Sequence, residues 1–372
     1  MNPPYVSRRA LLVSALAAAG CAPKKGTPYA GYCFVANQEA RSVAIVDLIG
    51  FRSLRTVPLG DSPSAVLAHP KQTGALVLAP GGGTVYEIDA ASLAISRRAR
   101  AGNQAVGMRL APAGDALWVL FRDPAALVEL PLDSLQPRRR VRLPAPPDDF
   151  DLSSDRRAAV VSRQGSAVTL VSLDHAVIER TMALPVEPTS VRFRPDGRQV
   201  LCASRPDRSV TILDTPTGKT IVRLPLPMEP RHFCYNSDNG QLFVTGDGMD
   251  AVAIIYPYQT DVAETVLAGH APSGMAVTDS YLLVANPQTN SVTVLDIDTD
   301  FKLVAVVRVG NAPQEIVVTP DQQYALVLNQ GSGDLAVIRI AALAARRYKS
   351  GPLFTMIPVG AGPVSAAVVK LS

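Results

Sequence analysis

The side chains of this chain with the greatest capacity for chemistry are charged residues in predicted loops. Arginine guanidinium groups bind a carboxylate or a phosphate through two parallel hydrogen bonds, and nearby carboxylates or an imidazole can bind or move protons. These candidates are far apart in sequence, so they form one site only if the fold brings them together. The predicted binding residues are Asp148, Asp149, Arg163, Arg205, Arg208, Arg231 and His232.

Other kinds of chemistry have little support in the sequence. The four cysteines do not form a Cys-x-x-Cys or Cys-x-x-Cys-His pattern, which argues against a zinc ribbon and against attachment of a c-type haem. The four histidines fall at different positions of the repeat described below, and only His232 is expected near a central axis. We therefore predict no metal site and no cofactor. Buried free thiols are favoured, although a disulfide between Cys202 and Cys234 stays open.

The elements that must position these residues repeat along the chain. The stretch 281–299, YLLVANPQTNSVTVLDIDT, reads as two strands joined by a polar turn, and 198–217 and 32–48 repeat it. A proline or small residue opens each period, at Pro63, Ala105, Pro147, Pro188, Pro230, Pro272, Pro313 and Pro363. The spacing is 41 or 42 residues, except for a last interval of 50. Each period accommodates four short strands.

Four antiparallel strands in about 40 residues are typical of a β-propeller blade. The second strand of many periods is continuously apolar, as in ALVLA (75–79), which indicates a sheet covered on both faces. The sequence therefore predicts an all-β propeller of four-stranded antiparallel blades. Its domains are an export signal (1–21), a linker (22–31) and a single propeller (32–372).

The two ends of the array complete each other. Residues 32–60 lack a first strand, and 363–371 supply one, so together they form a composite blade that closes the ring. Seven full periods and this blade give eight blades. Seven blades are the alternative, if the degenerate period 147–184 is not a full sheet.

Propeller topology places the predicted binding residues on one face. The loops entering the first strands and the loops joining second to third strands lie at the same end of the blades. Asp148, Asp149, Arg231 and His232 belong to the first set, and Arg163, Arg205 and Arg208 belong to the second. We expect these residues to surround a central funnel that binds a protein partner or an anionic small molecule or glycan.

The N-terminus reads as a targeting segment. Ser7-Arg8-Arg9 followed by an apolar run resembles a twin-arginine export signal, and Ala18-Ala19-Gly20-Cys21 resembles the lipobox of bacterial lipoproteins. We expect lipidation of Cys21 and a location in the periplasm or cell envelope, tethered to a membrane. Removing the signal leaves 34 of 36 basic residues against 32 acidic ones, so no nucleic-acid partner is expected.

The repeats resemble the YVTN family of bacterial β-propeller proteins. The resemblance is carried by LLVANPQTNSVTVLDIDT (282–299), RVGNAPQEIVVTP (308–320) and VANQEARSVAIVDL (35–48). It implies the architecture and leaves the activity open, because propellers of this kind serve many functions. A binding or interaction module is the favoured function. The alternatives are a lactonase-like hydrolase and a carrier or maturation protein for d1-haem, both of which use such propellers.

Overall fold

The computed structural model describes residues 28–343 and 351–371. The predicted export signal, with Arg8, Arg9 and Cys21, lies outside the described residues. Within them, 32 β-strands form eight four-stranded antiparallel sheets, and one 3₁₀ turn covers Ile340–Ala342. No helix in this part of the chain has the length and apolar character needed to cross a bilayer.

Each sheet is one blade. In seven blades the strands follow sequence order from the axis outward, and in blade 1 the last strand takes the innermost place. The innermost strands of blades 2 to 8, and then of blade 1, are β4 (Ala65–Ala68), β8 (Asn103–Leu110), β12 (Asp149–Leu152), β16 (Ser190–Phe193), β20 (Glu229–Tyr235), β24 (Met275–Val277), β28 (Pro313–Val318) and β32 (Pro363–Lys370). The second strands of blades 1 to 8 are β1 (Gly31–Asn37), β5 (Gly74–Ala79), β9 (Ala116–Asp123), β13 (Arg157–Ser162), β17 (Gln199–Ser204), β21 (Leu242–Asp247), β25 (Tyr281–Asn286) and β29 (Tyr324–Asn329).

The third strands continue each blade outward. They are β2 (Ser42–Asp47), β6 (Thr84–Asp89), β10 (Ala125–Pro131), β14 (Ala167–Ser172), β18 (Ser209–Asp214), β22 (Ala251–Tyr256), β26 (Ser291–Asp296) and β30 (Asp334–Arg339). The outermost strands are β3 (Arg52–Pro58), β7 (Ala94–Arg100), β11 (Arg139–Arg142), β15 (Val177–Ala183), β19 (Thr220–Pro225), β23 (Asp261–Leu267), β27 (Leu303–Arg308) and β31 (Leu353–Pro358).

The hydrophobic core consists of the interfaces between neighbouring blades. Eight clusters of buried side chains are found in the described part of the chain, and each joins two adjacent blades. The second strands are continuously buried, as in β5 and β29, because both of their faces pack against another sheet. This confirms the interpretation of the continuous apolar runs. The packing of blade 8 against blade 1 closes the ring of blades.

The composite blade is confirmed. Strand β32 pairs antiparallel with β1 in a register from Gly31 opposite Lys370 to Asn37 opposite Pro363, which completes the sheet β3-β2-β1-β32. The degenerate period forms a full sheet of β12 to β15, so the ring has eight blades and the seven-blade alternative is wrong. Tyr29, within the segment predicted as a linker, packs into the core between blades 1 and 8.

The innermost strands surround a central channel. Successive innermost strands contact one another around much of the ring, including β8 with β12, β12 with β16, and β28 with β32. The edges of these strands that face the axis have no partner strand, and their backbone N–H groups need acceptors. In blade 4, carboxylates accept two of them: Asp149 binds Val191 N at 3.1 Å, and Asp151 binds Phe193 N at 2.8 Å. Charged side chains are thus built into the channel wall.

Candidate functional site

A wide opening lies over blades 3 to 6 at the end of the channel. Two adjoining cavities form it, one of about 410 Å³ and one of about 470 Å³. We call their lining the mouth: Arg122, Pro146, Asp148, Arg163, Gln164, Glu187, Thr189, Ser190, Arg205, Pro230, Arg231 and His232. The residues come from loops that enter innermost strands and from turns between second and third strands. Residues from both kinds of loop therefore lie on one face of the ring, as the repeat register predicts.

One pair of arginines in the mouth is held by Asp148. Its Oδ1 atom lies 3.2 Å from Arg122 Nη2 and 3.0 Å from Arg163 Nε, and its Oδ2 accepts the Arg163 backbone N–H at 2.7 Å. Arg122 also donates to the carbonyl oxygen of Pro147. Blades 3 and 4 thereby contribute one guanidinium each to a single carboxylate. Because a guanidinium has five N–H groups, both arginines retain donors for a ligand.

A second pair of arginines is held by Asp247 in the same way. Its Oδ2 atom lies 2.8 Å from Arg205 Nη2 and 2.7 Å from Arg231 Nε. Glu229 adds a longer contact of 3.4 Å to Arg205. The arginines of the mouth are therefore fixed by carboxylates, and their positive charge is partly compensated. The sequence analysis missed Asp247 as a partner because it lies at the end of β21, far along the chain from Arg205.

The mouth brings together five of the seven predicted binding residues, Asp148, Arg163, Arg205, Arg231 and His232. Arg208 is exposed in the turn between β17 and β18 and does not line the mouth. Asp149 lies deeper, on β12, where it binds Arg192 at 2.8 Å. Two further polar atoms in the mouth, Ser190 Oγ and Arg205 Nε, are buried and have no hydrogen-bond partner among the described residues.

Below the mouth, the channel widens into a cavity of about 610 Å³, which we call the chamber. Its walls come from innermost strands and the loops beside them: Arg109, Arg192, Arg231, His232, Phe233, Gly274, Met275, Gln314, Glu315, Ile316, Gln330 and Val364. Arg231 and His232 line both the mouth and the chamber, so the two spaces adjoin each other at these residues.

Four charged side chains form a cluster on one side of the chamber. Arg192 pairs closely with Asp149, whereas Arg109 lies 4.0 Å from both Asp149 and Asp151. Burial raises the pKa of Asp151, and burial together with the charge of Arg192 lowers the pKa of Arg109. Sequence analysis missed Arg109, Arg192 and Asp151. The available signal was the spacing of two in Asp149-Phe150-Asp151, which directs both carboxylates to one face of an innermost strand.

The pKa values of two other ionisable groups of the chamber are shifted mainly by burial. Burial and the neighbouring Arg231 lower the pKa of His232, so its imidazole is neutral at neutral pH. Burial raises the pKa of Glu315 to about 7, and a backbone hydrogen bond from Ala366 offsets only part of this effect. Several groups with shifted pKa values around one cavity are typical of a functional site.

The remaining candidates do not form a site. Cys33, Cys202 and Cys234 are free thiols in the structure, and Cys33 and Cys202 are fully buried. His69 lies at the turn that follows β4 and is 4% exposed, with its ring accepting a hydrogen bond from Lys71 N. Within residues 28–343 and 351–371, no three His, Cys, Asp or Glu side chains are grouped as metal ligands. The absence of a metal in the protein stays a prediction.

Comparison with known proteins supports the architecture. A family model described as "Lactonase, 7-bladed beta-propeller" matches residues 230–345, which is less than half of the chain. No curated protein sequence matches. The dihydro-heme d1 dehydrogenase NirN, solved in complex with DHE, is similar in structure with a TM-score of 0.75 and 15% identity, covering 91% of this chain and 75% of NirN.

Two other solved structures are similar at lower TM-scores. Hydrazine synthase of Kuenenia stuttgartiensis has a TM-score of 0.59 and 18% identity, covering 75% of this chain and 96% of its own. A functionally unknown protein from Desulfotomaculum acetoxidans has a TM-score of 0.59 and 11% identity, covering 92% and 99% of the two chains. At these identities the likeness shows the propeller fold and leaves the ligand open.

Proposed function

We propose that this protein is an exported, membrane-tethered binding module that takes an anionic ligand at the mouth. The observation that carries the proposal is the pair of carboxylates, Asp148 and Asp247, each of which holds two guanidinium groups from neighbouring blades at one opening. Four arginines held in this way are preorganised for a ligand with more than one carboxylate or phosphate group. The export signal, the lipid on Cys21 and membership of the YVTN family are part of the same proposal.

The energetics favour the inner part of the mouth. A hydrogen bond to a charged group contributes roughly 1.5–3 kcal/mol where water is excluded, and much less on an open rim. Arg231 lines both the mouth and the chamber, whereas Arg122 lies on the outer side. The buried and unpartnered Ser190 Oγ and Arg205 Nε also fit a site completed by ligand oxygens, because proteins leave few such atoms unsatisfied.

A thermal-shift screen of anionic metabolites and acidic glycans tests the proposal. We expect at least one anion to stabilise the parent, Arg231→Ala to abolish most of the shift, and Arg122→Ala to reduce it less. Arg231→Lys should recover little of the thermal shift that Arg231→Ala loses, because an ammonium group cannot make two parallel hydrogen bonds. Arg308→Ala on the exposed outer strand β27 is the control and should behave like the parent. No stabilising anion, or equal shifts for all variants, would contradict the proposal.

A tetrapyrrole with several carboxylates, such as a d1-type haem carried as cargo, is a second candidate. The structural likeness to NirN over 91% of this chain favours it. The residues present fit such a molecule, because guanidiniums at the mouth can bind its carboxylates and the neutral imidazole of His232 can bind its metal. Fluorescence titration with coproporphyrin III tests this candidate, with its methyl ester as the control that lacks the charges. Equal binding of acid and ester would reject it.

The hydrolase alternative is favoured by the lactonase family match, which includes Arg231 and His232. Ester hydrolysis needs a general base and a cationic group near the developing oxyanion, and these two residues could supply them. A panel of lactones, assayed with the parent and His232→Ala, distinguishes this alternative from binding alone. We expect no turnover that depends on His232.

A further inference from the structure

Glu315 occupies an unusual position in the chamber. It lies near the start of β28, the innermost strand of blade 8, and in a ring of eight blades this strand faces β12 of blade 4 across the axis. Blade 4 and its neighbours carry the cluster of Arg109, Asp149, Asp151 and Arg192. The chamber therefore has two guanidinium groups on one side and a lone carboxyl group on the other.

No cation in the described part of the chain lies within ion-pair distance of the Glu315 carboxyl group, although three arginines line the same cavity. The strands packed against β28 are β24, β25, β29 and β32. Their ionisable residues, Tyr281, Tyr324 and Lys370, are not among those that line the chamber. The charged and titratable groups that do face Glu315 across the cavity are Arg109, Arg192, Arg231 and His232.

Behind Glu315, the thiol of Cys33 on β1 lies close enough to sense its charge. Burial and this carboxylate raise the pKa of Cys33 to about 12, so the thiol stays protonated. Glu315 thus has no counter-ion in contact with it. One hydrogen bond reaches its carboxyl group, from the backbone N–H of Ala366, and its side chain lines the open cavity of the chamber. Its carboxyl group can therefore bind a ligand directly.

We propose that the chamber is an inner site for one carboxylate group of the ligand, which binds together with one proton that Glu315 shares with it. The proposal rests on the proposed function, because the ligand reaches the chamber through the mouth. The ligand carboxylate lies between the two walls: Arg109 donates from one side, and the protonated Glu315 donates its O–H from the other. The proton comes from solvent, and no covalent bond changes.

Arg109 has capacity for this role. Its nearest carboxylate contacts are 4.0 Å long, whereas Arg192 has a direct hydrogen bond of 2.8 Å to Asp149. The amide groups of Gln314 and Gln330 line the same space and can donate to the second oxygen of the ligand carboxylate. Two carboxyl groups that share one proton form a stable hydrogen-bonded pair, since both cannot ionise at close range.

The direction of the pH effect follows from the pKa of Glu315, which is about 7 in the protein without ligand. Below this pH, Glu315 is protonated and ready to donate. Above it, each binding event must take up a proton, so affinity falls by about tenfold per pH unit. A ligand bound only to the arginines of the mouth would show no such slope.

Calorimetric titration of the full-length protein with adipate, a dicarboxylate, tests the proposal between about pH 6 and pH 9. Imidazole and Tris buffers, which are cationic and differ in ionisation enthalpy, report the protons taken up. We expect about one proton per bound adipate at pH 8 in the parent and none in Glu315→Gln, whose affinity should be independent of pH. Arg109→Gln should weaken binding at every pH and keep the slope. Glu264→Gln on the exposed outer strand β23 is the matched control and should match the parent.

The outcomes separate the two proposals. If adipate binds the parent without proton uptake, or with the same slope in Glu315→Gln, the inner site is wrong, and the arginine variants then test the mouth separately. If other anions bind the parent and adipate does not, the inner site is also wrong. If no anion of the screen binds the parent at any pH, both proposals fail. Circular dichroism of Glu315→Gln checks that the variant is folded.

Discussion

Replacing Val369 with alanine tests how the ring is closed. Val369 on β32 is 0% exposed and belongs to the core between blades 1 and 2, together with Phe34, Ile45 and Val77. The substitution removes two methyl groups, which contribute about 1.6 kcal/mol at roughly 0.8 kcal/mol each. The cavity that remains adds to this loss, because rigid strands on both sides relax only partly. We expect the free energy of unfolding to fall by about 2–3 kcal/mol.

Urea unfolding followed by tryptophan fluorescence and circular dichroism measures this loss. Trp118 lies in blade 3, away from the substituted strand, so its signal reports whether the destabilisation spreads through the ring. Both probes should shift together by the same amount. Val306→Ala is the control: Val306 is 58% exposed on the outermost strand β27 and should cost less than about 0.5 kcal/mol. Equal losses in the two variants, or a shift seen only by circular dichroism, would refute the closure argument.

Three other predictions concern export, pH and cofactors. Lysine in place of Arg8 and Arg9 should retain the precursor in the cytoplasm, and Cys21→Ser should release the exported protein from membranes, both measured by cell fractionation. Burial raises the pKa of Glu315 from an unfolded value of 4.5 to about 7. Stability should therefore fall by up to about 3 kcal/mol as the pH rises between these values, and Glu315→Gln should remove this fall in urea titrations. The purified protein should show neither a Soret band nor stoichiometric metal.

The architecture could be predicted because its signals are local and repeated. A turn residue, an apolar second strand and a polar turn recur every 41 or 42 residues, and each copy supports the others. The closing strand was also predictable, because the first period lacks an inner strand and the chain ends with one. The repeated asparagine of the hairpin was visible too, but its role was not. Asn37 and Asn286 are both 0% exposed, and Asn37 donates to the carbonyl oxygen of Val359 near the junction with blade 8.

The site was only partly predictable, because its contacts join residues that the repeat register places in different blades. The register placed Asp148 and Arg163 on the correct face, and it also included Arg208, whose side chain is exposed outside the mouth. It could not show that Asp148 and Asp247 each hold two arginines, since that depends on side-chain direction. Arg109 and Arg192 were not among the residues predicted to form the site. Their side chains are partly buried, 37% and 24% exposed, because the innermost strands converge at the axis.

The same carboxylates that build the channel also orient its cations. Asp149 accepts the backbone N–H of Val191 from the next innermost strand and binds the Arg192 side chain with the same oxygen. Asp151 satisfies Phe193 N in the same way, and Tyr235 donates to the carbonyl oxygen of Phe193 from the other side. Neutralising Asp149 should therefore both loosen the contact between blades 4 and 5 and free Arg192. A substitution there cannot separate stability from binding. Glu315 also accepts a backbone hydrogen bond, from Ala366 on the neighbouring strand β32, but it forms no ion pair, and the amide oxygen of a glutamine can accept the same hydrogen bond. This is why the chamber is best tested at Glu315.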